Sequence, residues 1–156
     1  MNDKPISAVS IPLPAAKTIY PKPYDASVDG REKRKLGDHF GLSNFGINQT
    51  RLAPGAVSAL FHHHSKQDEF IYVLEGAATL LYGDAEHLMN PGDCMGFKAG
   101  SGVASQVVNR SSEPVVYLEA GDRTAGDEVE YPNDDLKASQ QADGAWLFTH
   151  KDGRSY

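Results

Sequence analysis

From Phe45 onward, short apolar stretches alternate with turn residues at intervals of roughly seven to ten residues. Turn signals such as Pro54-Gly55, Gly83-Asp84 and Pro91-Gly92 separate runs that are rich in β-branched and aromatic residues. Short strands at this spacing are typical of a β-sandwich or a small barrel. The pattern therefore predicts an all-β domain of antiparallel strands, with no convincing long amphipathic helix.

Several of these apolar runs predict particular strands. Residues 70–74 are apolar at every position, which indicates a strand covered on both faces. Residues 77–82 and 86–89 flank the Gly83-Asp84 turn and predict a hairpin. Residues 114–119 form a β-branched run whose proline stands at the first position, where a strand tolerates it.

The two ends of the chain lack this regular spacing. We expect three parts: an extended N-terminal arm over residues 1–39, a barrel over 40–121 and a C-terminal extension over 122–156 that packs on the barrel. The arm ends in a basic run, 31–35, for which a solvated loop and contact with a phosphate-bearing ligand are both open interpretations. In the extension, a short helix over 133–141 competes with a loop, and residues 146–150 predict a further strand.

The composition narrows the range of partners and of cellular settings. The chain has 156 residues, which is room for one domain, and its net charge of −6 argues against a nucleic acid or an anionic membrane as partner. The single cysteine, Cys94, excludes an intramolecular disulfide framework, and we expect it to be a buried small hydrophobe in a reducing compartment. No apolar run approaches the roughly 20 residues that span a bilayer, and no signal peptide is recognisable. We therefore expect a soluble, cytoplasmic protein.

The dense cluster of metal-ligand side chains in this sequence lies in residues 61–69. On a strand, residues i and i+2 share a face, so His62 and His64 point to one side and His63 points away. Glu69 begins the next predicted strand and can reach the same point. Two imidazoles and a carboxylate with open positions form a site for a divalent transition metal. The alternative is that the histidines lie on an exposed edge, or are buried and bonded to the backbone.

Two groups of residues resemble the two signatures of the cupin superfamily. The first group comprises Gly55, His62, His64, Glu69 and Gly76. The second comprises Gly92-Asp93, residues 98–100 and Asn109. Together they span about a third of the chain, and the strands predicted on either side of them agree with the same fold.

A member of this superfamily is expected to fold as an antiparallel double-stranded β-helix, a jelly-roll or cupin barrel of about eight strands. The resemblance implies that His62, His64 and Glu69 hold a divalent transition metal, with Fe, Mn, Zn and Ni as candidates. The usual fourth ligand, a histidine, is replaced by Ser105, and Gln106 stands beside it. We expect both residues to line the cavity that receives a substrate.

Three states of the site are open at this point. A metal is held by three side chains and by waters, or the cavity is empty or weakly occupied. In the third state, His63 substitutes for a ligand through a register shift, although such a slip would turn the neighbouring side chains to the opposite face.

The resemblance also implies a function. The expected protein is a metal-dependent cupin of the dioxygenase, isomerase or epimerase type that acts on or binds a small oxygen-rich metabolite, and a sugar-phosphate isomerase is one variant. The alternative is a non-catalytic module that binds a small ligand around a weak or empty metal site. No residue stands out as a general base, so the catalytic residues are unknown. We expect a homodimer, joined through edge strands or exchanged arms.

Overall fold

The computed structural model describes residues 4–156, which form three antiparallel sheets. The strands are β1 (Arg31–Lys35), β2 (Phe45–Leu52), β3 (His63–His64), β4 (Glu69–Glu75), β5 (Ala78–Tyr82), β6 (Ala85–Met89), β7 (Cys94–Phe97), β8 (Ser105–Val108), β9 (Val115–Asp122), β10 (Glu128–Glu130), β11 (Lys137–Gln140) and β12 (Trp146–Thr149). In this described part of the chain, helical structure is limited to two 3-10 turns, Ala8–Ser10 and Tyr24–Val28, and to α1 (Leu36–His39). The all-β prediction is confirmed.

The main core lies between a five-stranded sheet, in the order β1-β2-β9-β4-β7, and a three-stranded sheet, in the order β6-β5-β8. Inward-facing side chains from both sheets meet there, including Leu52, Val73 and Val115 from the first and Leu80 and Val107 from the second. Full burial of one such side chain contributes about 1.5–3 kcal/mol. The predicted hairpin is present as β5 and β6, and the two sheets form the predicted double-stranded β-helix.

A second, smaller core lies under a four-stranded sheet in the order β12-β11-β10-β3. The strand predicted near the C-terminus is confirmed as β12, which pairs with β11. Residues 133–141, where the sequence leaves a short helix and a loop both open, form no helix, because Lys137–Gln140 is a strand. Leu136 and Ala138 are buried at alternate positions and pack with Val129 and Tyr131, and this period of two favours a strand over a helix.

The basic run lies on an edge strand. β1 pairs antiparallel with β2, so that Arg31 lies opposite Leu52 and Lys35 opposite Asn48. Because β1 lies within the predicted N-terminal arm, part of that arm is itself a strand of the five-stranded sheet. The proposed boundaries of arm, barrel and extension stay a prediction.

The outer face of the five-stranded sheet carries exposed apolar side chains. Phe70, Tyr72 and Leu74 are 44%, 39% and 37% exposed, whereas Ile71 and Val73 between them are buried. The expectation that strand 70–74 is covered on both faces is wrong for the single chain. Cys94 lies opposite Tyr72 in the neighbouring strand and is also exposed, so the prediction that Cys94 is buried is wrong.

Within residues 4–156, every helix is too short or too polar to cross a membrane.

Candidate metal centre

Backbone pairing turns His62 and His64 to the same side of their strand. The His62 amide donates to the Ser105 carbonyl at 3.2 Å, and the Ser105 amide donates to the His62 carbonyl at 2.8 Å. His64 is opposite Val129 in the β3–β10 ladder. This pairing holds His62 and His64 in an extended backbone conformation, and the centroids of their imidazole rings lie 5.1 Å apart.

Each imidazole uses one ring nitrogen to fix its orientation. His62 Nδ1 lies 2.7 Å from the Leu60 carbonyl oxygen, and His64 Nδ1 lies 2.5 Å from Asp127 Oδ2. An Nδ1–H that donates to an oxygen leaves the lone pair of Nε2 free for a metal. Both Nε2 atoms are therefore presented towards the same point.

Glu69 completes the cluster from the adjacent sheet. It is the first residue of β4, and its Oε2 and Oε1 atoms lie 3.7 Å from Nε2 of His62 and 3.7 Å from Nε2 of His64, respectively. One ligand atom from each of the three residues lies within 4.8 Å of the others, and no further group of this kind occurs in residues 4–156. Ligands about 2.1 Å from one ion are roughly 3.0–3.4 Å apart, so the three side chains would have to move closer together to hold a divalent metal.

The electrostatics of His62 favour the form that binds a metal. Burial lowers the pKa of His62, and the neighbouring His64 lowers this pKa further, while the Glu69 carboxylate opposes both effects. A His62 with a lowered pKa is a neutral imidazole near pH 7, which is the form that acts as a ligand.

Asp127 is a site residue that the sequence did not reveal. Its side chain is fully buried, and Oδ2 accepts from His64 while Oδ1 accepts from Ser65 Oγ at 3.0 Å and from the Lys66 amide at 2.7 Å. Burial alone would raise the pKa of Asp127, but the hydrogen bonds from His64 and the Lys66 amide lower it overall. Asp127 lies more than sixty residues after His64 in the chain, and no spacing rule connects them.

The other predicted residues lie around the cluster. Ser105 is buried and lies directly opposite His62, at the edge of the same cavity. Gln106 also lines the cavity, but its amide nitrogen donates to the Ala59 carbonyl at 2.7 Å. His63 is directed away, with Nε2 3.7 Å from Glu130 Oε2. The two histidines brought together with Glu69 are thus His62 and His64, in the register that alternation predicts.

The cluster opens into a cavity of about 390 Å³ between the barrel, the N-terminal segment and the C-terminal sheet. Tyr131 stacks on His62 with ring centroids 5.9 Å apart, and Trp146 presents an edge to His64 at 6.4 Å. Tyr20 comes from the N-terminal segment, and its hydroxyl oxygen accepts from the Leu60 amide at 3.3 Å. Both ends of the chain therefore contribute walls to the cavity.

A partly buried ion pair also lines the cavity. Glu119 forms a salt bridge with Lys33, and its Oε1 accepts from Asn48 Nδ2 at 3.0 Å. Burial would raise the pKa of Glu119, but the charge and hydrogen bond of Lys33 and the amide of Asn48 lower it overall. Glu119 is therefore a carboxylate at neutral pH.

Comparison with known proteins gives one matching family and several similar structures. The profile of the Cupin domain family matches residues 48–121. A sugar phosphate isomerase from a cupin superfamily, from Silicibacter pomeroyi, is 45% identical, with a TM-score of 0.84 over 89% of this chain and 88% of that one. A proposed sugar phosphate isomerase from Acidithiobacillus ferrooxidans is 31% identical, with a TM-score of 0.72 over 81% and 80% of the two chains.

More distant similarity is confined to the fold. The polyketide cyclase RemF from Streptomyces resistomycificus is 18% identical, with a TM-score of 0.61 over 76% of this chain and 78% of that one. No protein with a curated function matches the sequence.

Proposed function

The chain belongs to the cupin superfamily, and we propose that it is a metal-dependent isomerase acting on a small oxygen-rich metabolite. The observation that carries the proposal is the convergence of His62, His64 and Glu69 in the wall of a cavity. Two similar structures are described as sugar phosphate isomerases or proposed ones, which supports isomerisation over the dioxygenase and epimerase alternatives.

In this proposal, His62, His64 and Glu69 hold a divalent metal, and Asp127 keeps His64 in the tautomer whose Nε2 is a ligand. A bound divalent metal would polarise the hydroxyl and carbonyl oxygens of a substrate as a Lewis acid. Ser105 has a small side chain at the position next to His62, which leaves room for substrate oxygens, and Gln106 borders the same space. Tyr131 and Trp146 pack against the imidazoles and limit the access of water.

The first test is elemental analysis of protein expressed without a histidine tag. We expect about one Fe, Mn, Zn or Ni per chain in the wild type and a large loss of metal in His64→Ala and Glu69→Gln. His63→Ala is the matched control, since His63 lies outside the cluster, and it should retain the metal. Equal metal content in all variants would contradict the assignment of the ligands.

The second test concerns the reaction. The metal-loaded protein is incubated with a panel of aldose and ketose phosphates in D₂O, and NMR follows their interconversion and the uptake of deuterium. Interconversion that is lost in Glu69→Gln, with the fold intact, is the expected result. Metal-loaded protein that binds these compounds but interconverts none of them would favour the second candidate function.

That second candidate is a non-catalytic module that binds a small ligand around a weak or empty metal site. The replacement of the usual fourth histidine by Ser105 favours it, because a hydroxyl is a poor ligand for a borderline metal. Ser105→His distinguishes the two: under the binding-module hypothesis it should raise metal affinity without creating activity.

We also propose that the chain forms a homodimer through the outer face of the five-stranded sheet. Phe45, Phe70, Tyr72 and Leu74 are exposed there. From strand spacing and length, this face measures roughly 600 Å², close to the ~800 Å² that each partner of a standard interface buries.

The dimer is tested by size-exclusion chromatography with light scattering. Tyr72→Lys should give a monomer, while Leu88→Lys, which changes an exposed apolar residue on another sheet, should leave the dimer intact. A monomeric wild type would contradict the proposal.

We also propose that the protein is cytoplasmic, because an exposed thiol such as Cys94 stays reduced in that compartment.

A further inference from the structure

The cavity lining has more cationic than acidic side chains, although the protein as a whole is acidic. The chain has a net charge of −6, yet four cationic side chains line the cavity and only two carboxylates do so. The cations are Lys17, Arg31, Lys33 and Lys35, and the carboxylates are Glu69 and Glu119. Lys17, Lys33 and Lys35 form ion pairs with Asp29, Glu119 and Asp38, so Arg31 is the one lining cation in residues 4–156 without a carboxylate partner. An unpaired cation in a concave site attracts anions.

Strand alternation explains why three of these cations face inward. Arg31 and Lys33 lie opposite Leu52 and Thr50 of β2, both of which are fully buried on the inner face of the sheet. Residues opposite each other in an antiparallel pair point to the same face, so Arg31, Lys33 and Lys35 share the inner side of β1. The basic run is therefore part of a cavity wall.

Arg31 has no ion-pair partner in residues 4–156, although its charge helps to lower the pKa of Glu119. Its two terminal nitrogens donate to the carbonyl oxygens of Ser58 at 2.5 Å and Lys17 at 2.8 Å, and its Nε is buried without a hydrogen-bond partner. No carboxylate in residues 4–156 forms an ion pair with it, whereas Lys33 is paired with Glu119. A guanidinium that is held in place, carries its full charge and has a free donor is a typical oxyanion ligand.

The Tyr117 hydroxyl is a second unsatisfied polar group on this wall. Tyr117 is 1% exposed, and neither its Oη nor the Oγ1 of Thr50 opposite has a hydrogen-bond partner. Burial and the charge of Glu119 raise the pKa of Tyr117; the Thr50 and Ser58 hydroxyls oppose this rise, but their geometry falls short of hydrogen bonds. The phenol therefore stays protonated, and a buried donor without a partner requires a ligand or water.

We propose that Arg31 and Tyr117 form an oxyanion subsite that binds the phosphate monoester of a small polyol, at the end of the cavity away from His62, His64 and Glu69. This inference rests on the proposed function in taking the cavity as the substrate site. Arg31 is bonded to Ser58, four residues before His62, so the two ends of the cavity are at most about 14 Å apart along the chain. A phosphate monoester presents several oxygens, so one oxygen can accept from Arg31 Nε while another accepts from the Tyr117 hydroxyl.

The test measures binding of inorganic phosphate to metal-free protein by ³¹P NMR, up to about 20 mM phosphate. The wild type should give saturable binding, and Arg31→Gln should weaken it by about tenfold or more, the effect of losing a charge-assisted contact. Arg34→Gln is the matched control, because Arg34 lies on the same strand but on its other face, and it should change the affinity less than about twofold. Equal effects of the two arginine variants would overturn the proposal.

The variant Tyr117→Phe distinguishes a loss of phosphate binding from a folding defect. It removes a hydroxyl that has no partner, so the melting temperature of the free protein should stay the same or rise. Phosphate affinity should nevertheless fall by about threefold to tenfold. Unchanged phosphate affinity in Tyr117→Phe, or no saturable binding by the wild type, would overturn the proposal.

Two further binding measurements test whether the subsite prefers phosphate and whether it is independent of the metal ligands. Acetate in place of phosphate should bind at least about tenfold more weakly, and equal affinity would overturn the assignment to phosphate. His64→Ala should bind phosphate as the wild type does, because the subsite does not include the metal ligands. Phosphate binding without isomerase activity would refute the proposed function alone, and activity without phosphate binding would refute the subsite alone.

Discussion

Replacement of Asp127 by asparagine tests whether the orientation of His64 depends on a single buried carboxylate. Oδ1 of Asp127 accepts from Ser65 and from the Lys66 amide, and Oδ2 accepts only from His64. An asparagine that keeps its oxygen at the first position retains two of the three hydrogen bonds. Its NH₂ group then faces His64 Nδ1 and can only donate to it.

This change reverses the tautomer of His64. With Nδ1 as an acceptor, the proton moves to Nε2, the atom that is directed towards Glu69. Loss of such a supporting carboxylate typically weakens metal binding by about 10–100-fold, which corresponds to about 1.4–2.7 kcal/mol. Because two hydrogen bonds of the buried group are kept, the fold should survive.

The assay is a competitive titration of Zn²⁺ or Mn²⁺ against a chromophoric chelator, with circular dichroism to verify the fold. Asp135→Asn is the matched control, because Asp135 also accepts from a histidine, His150 Nδ1 at 2.7 Å, and from the Lys151 amide at 2.9 Å, away from the cluster. A folded Asp127→Asn protein with metal affinity within about twofold of the wild type would refute the reasoning.

Three further outcomes follow from buried groups. Lys33→Met should destabilise the protein at pH 7, because it leaves Glu119 without its ion-pair partner. Folding lowers the pKa of Glu119, so the stabilisation is present above the pKa of the unfolded state and is lost as the pH falls through the pKa of the folded state. In urea unfolding, the difference in stability from the wild type should therefore shrink in acid, and a constant difference would contradict this. Gly76→Ala should cost more than about 1–2 kcal/mol, because φ is +76° and a Cβ would lie 2.4 Å from the Pro114 carbonyl oxygen; an unchanged melting temperature would contradict this. Leu136→Ala should cost about 2–5 kcal/mol by chemical denaturation, since Leu136 is fully buried in the smaller core, and a cost below about 1 kcal/mol would mean that this core is loosely packed.

The parts of the site that could be predicted are those governed by local alternation. The spacing of His62 and His64 places them on one face of any extended segment, and Glu69 follows closely enough to reach the same point. The fold was predictable for a similar reason, because short apolar runs between turn residues leave few alternatives to antiparallel sheets.

The parts that could not be predicted depend on contacts between distant segments. Asp127 reaches His64 only because β10 pairs with β3. Arg31 faces the cavity only because β1 joins the edge of the sheet at β2, a pairing that charge composition alone does not indicate. Leu136 and Ala138 suit a short helix as well as a strand until their neighbours are known, and tertiary packing decides between the two.

The segment that matches the family, residues 48–121, contains the three candidate metal ligands and about half of the residues that line the cavity. Tyr20, Arg31, Tyr131 and Trp146 come from outside that segment and face the same space. The sequences that flank the family segment therefore supply walls of the cavity that the segment itself lacks. We expect relatives that share the three candidate metal ligands to differ in the small molecules they accept where these flanking walls differ.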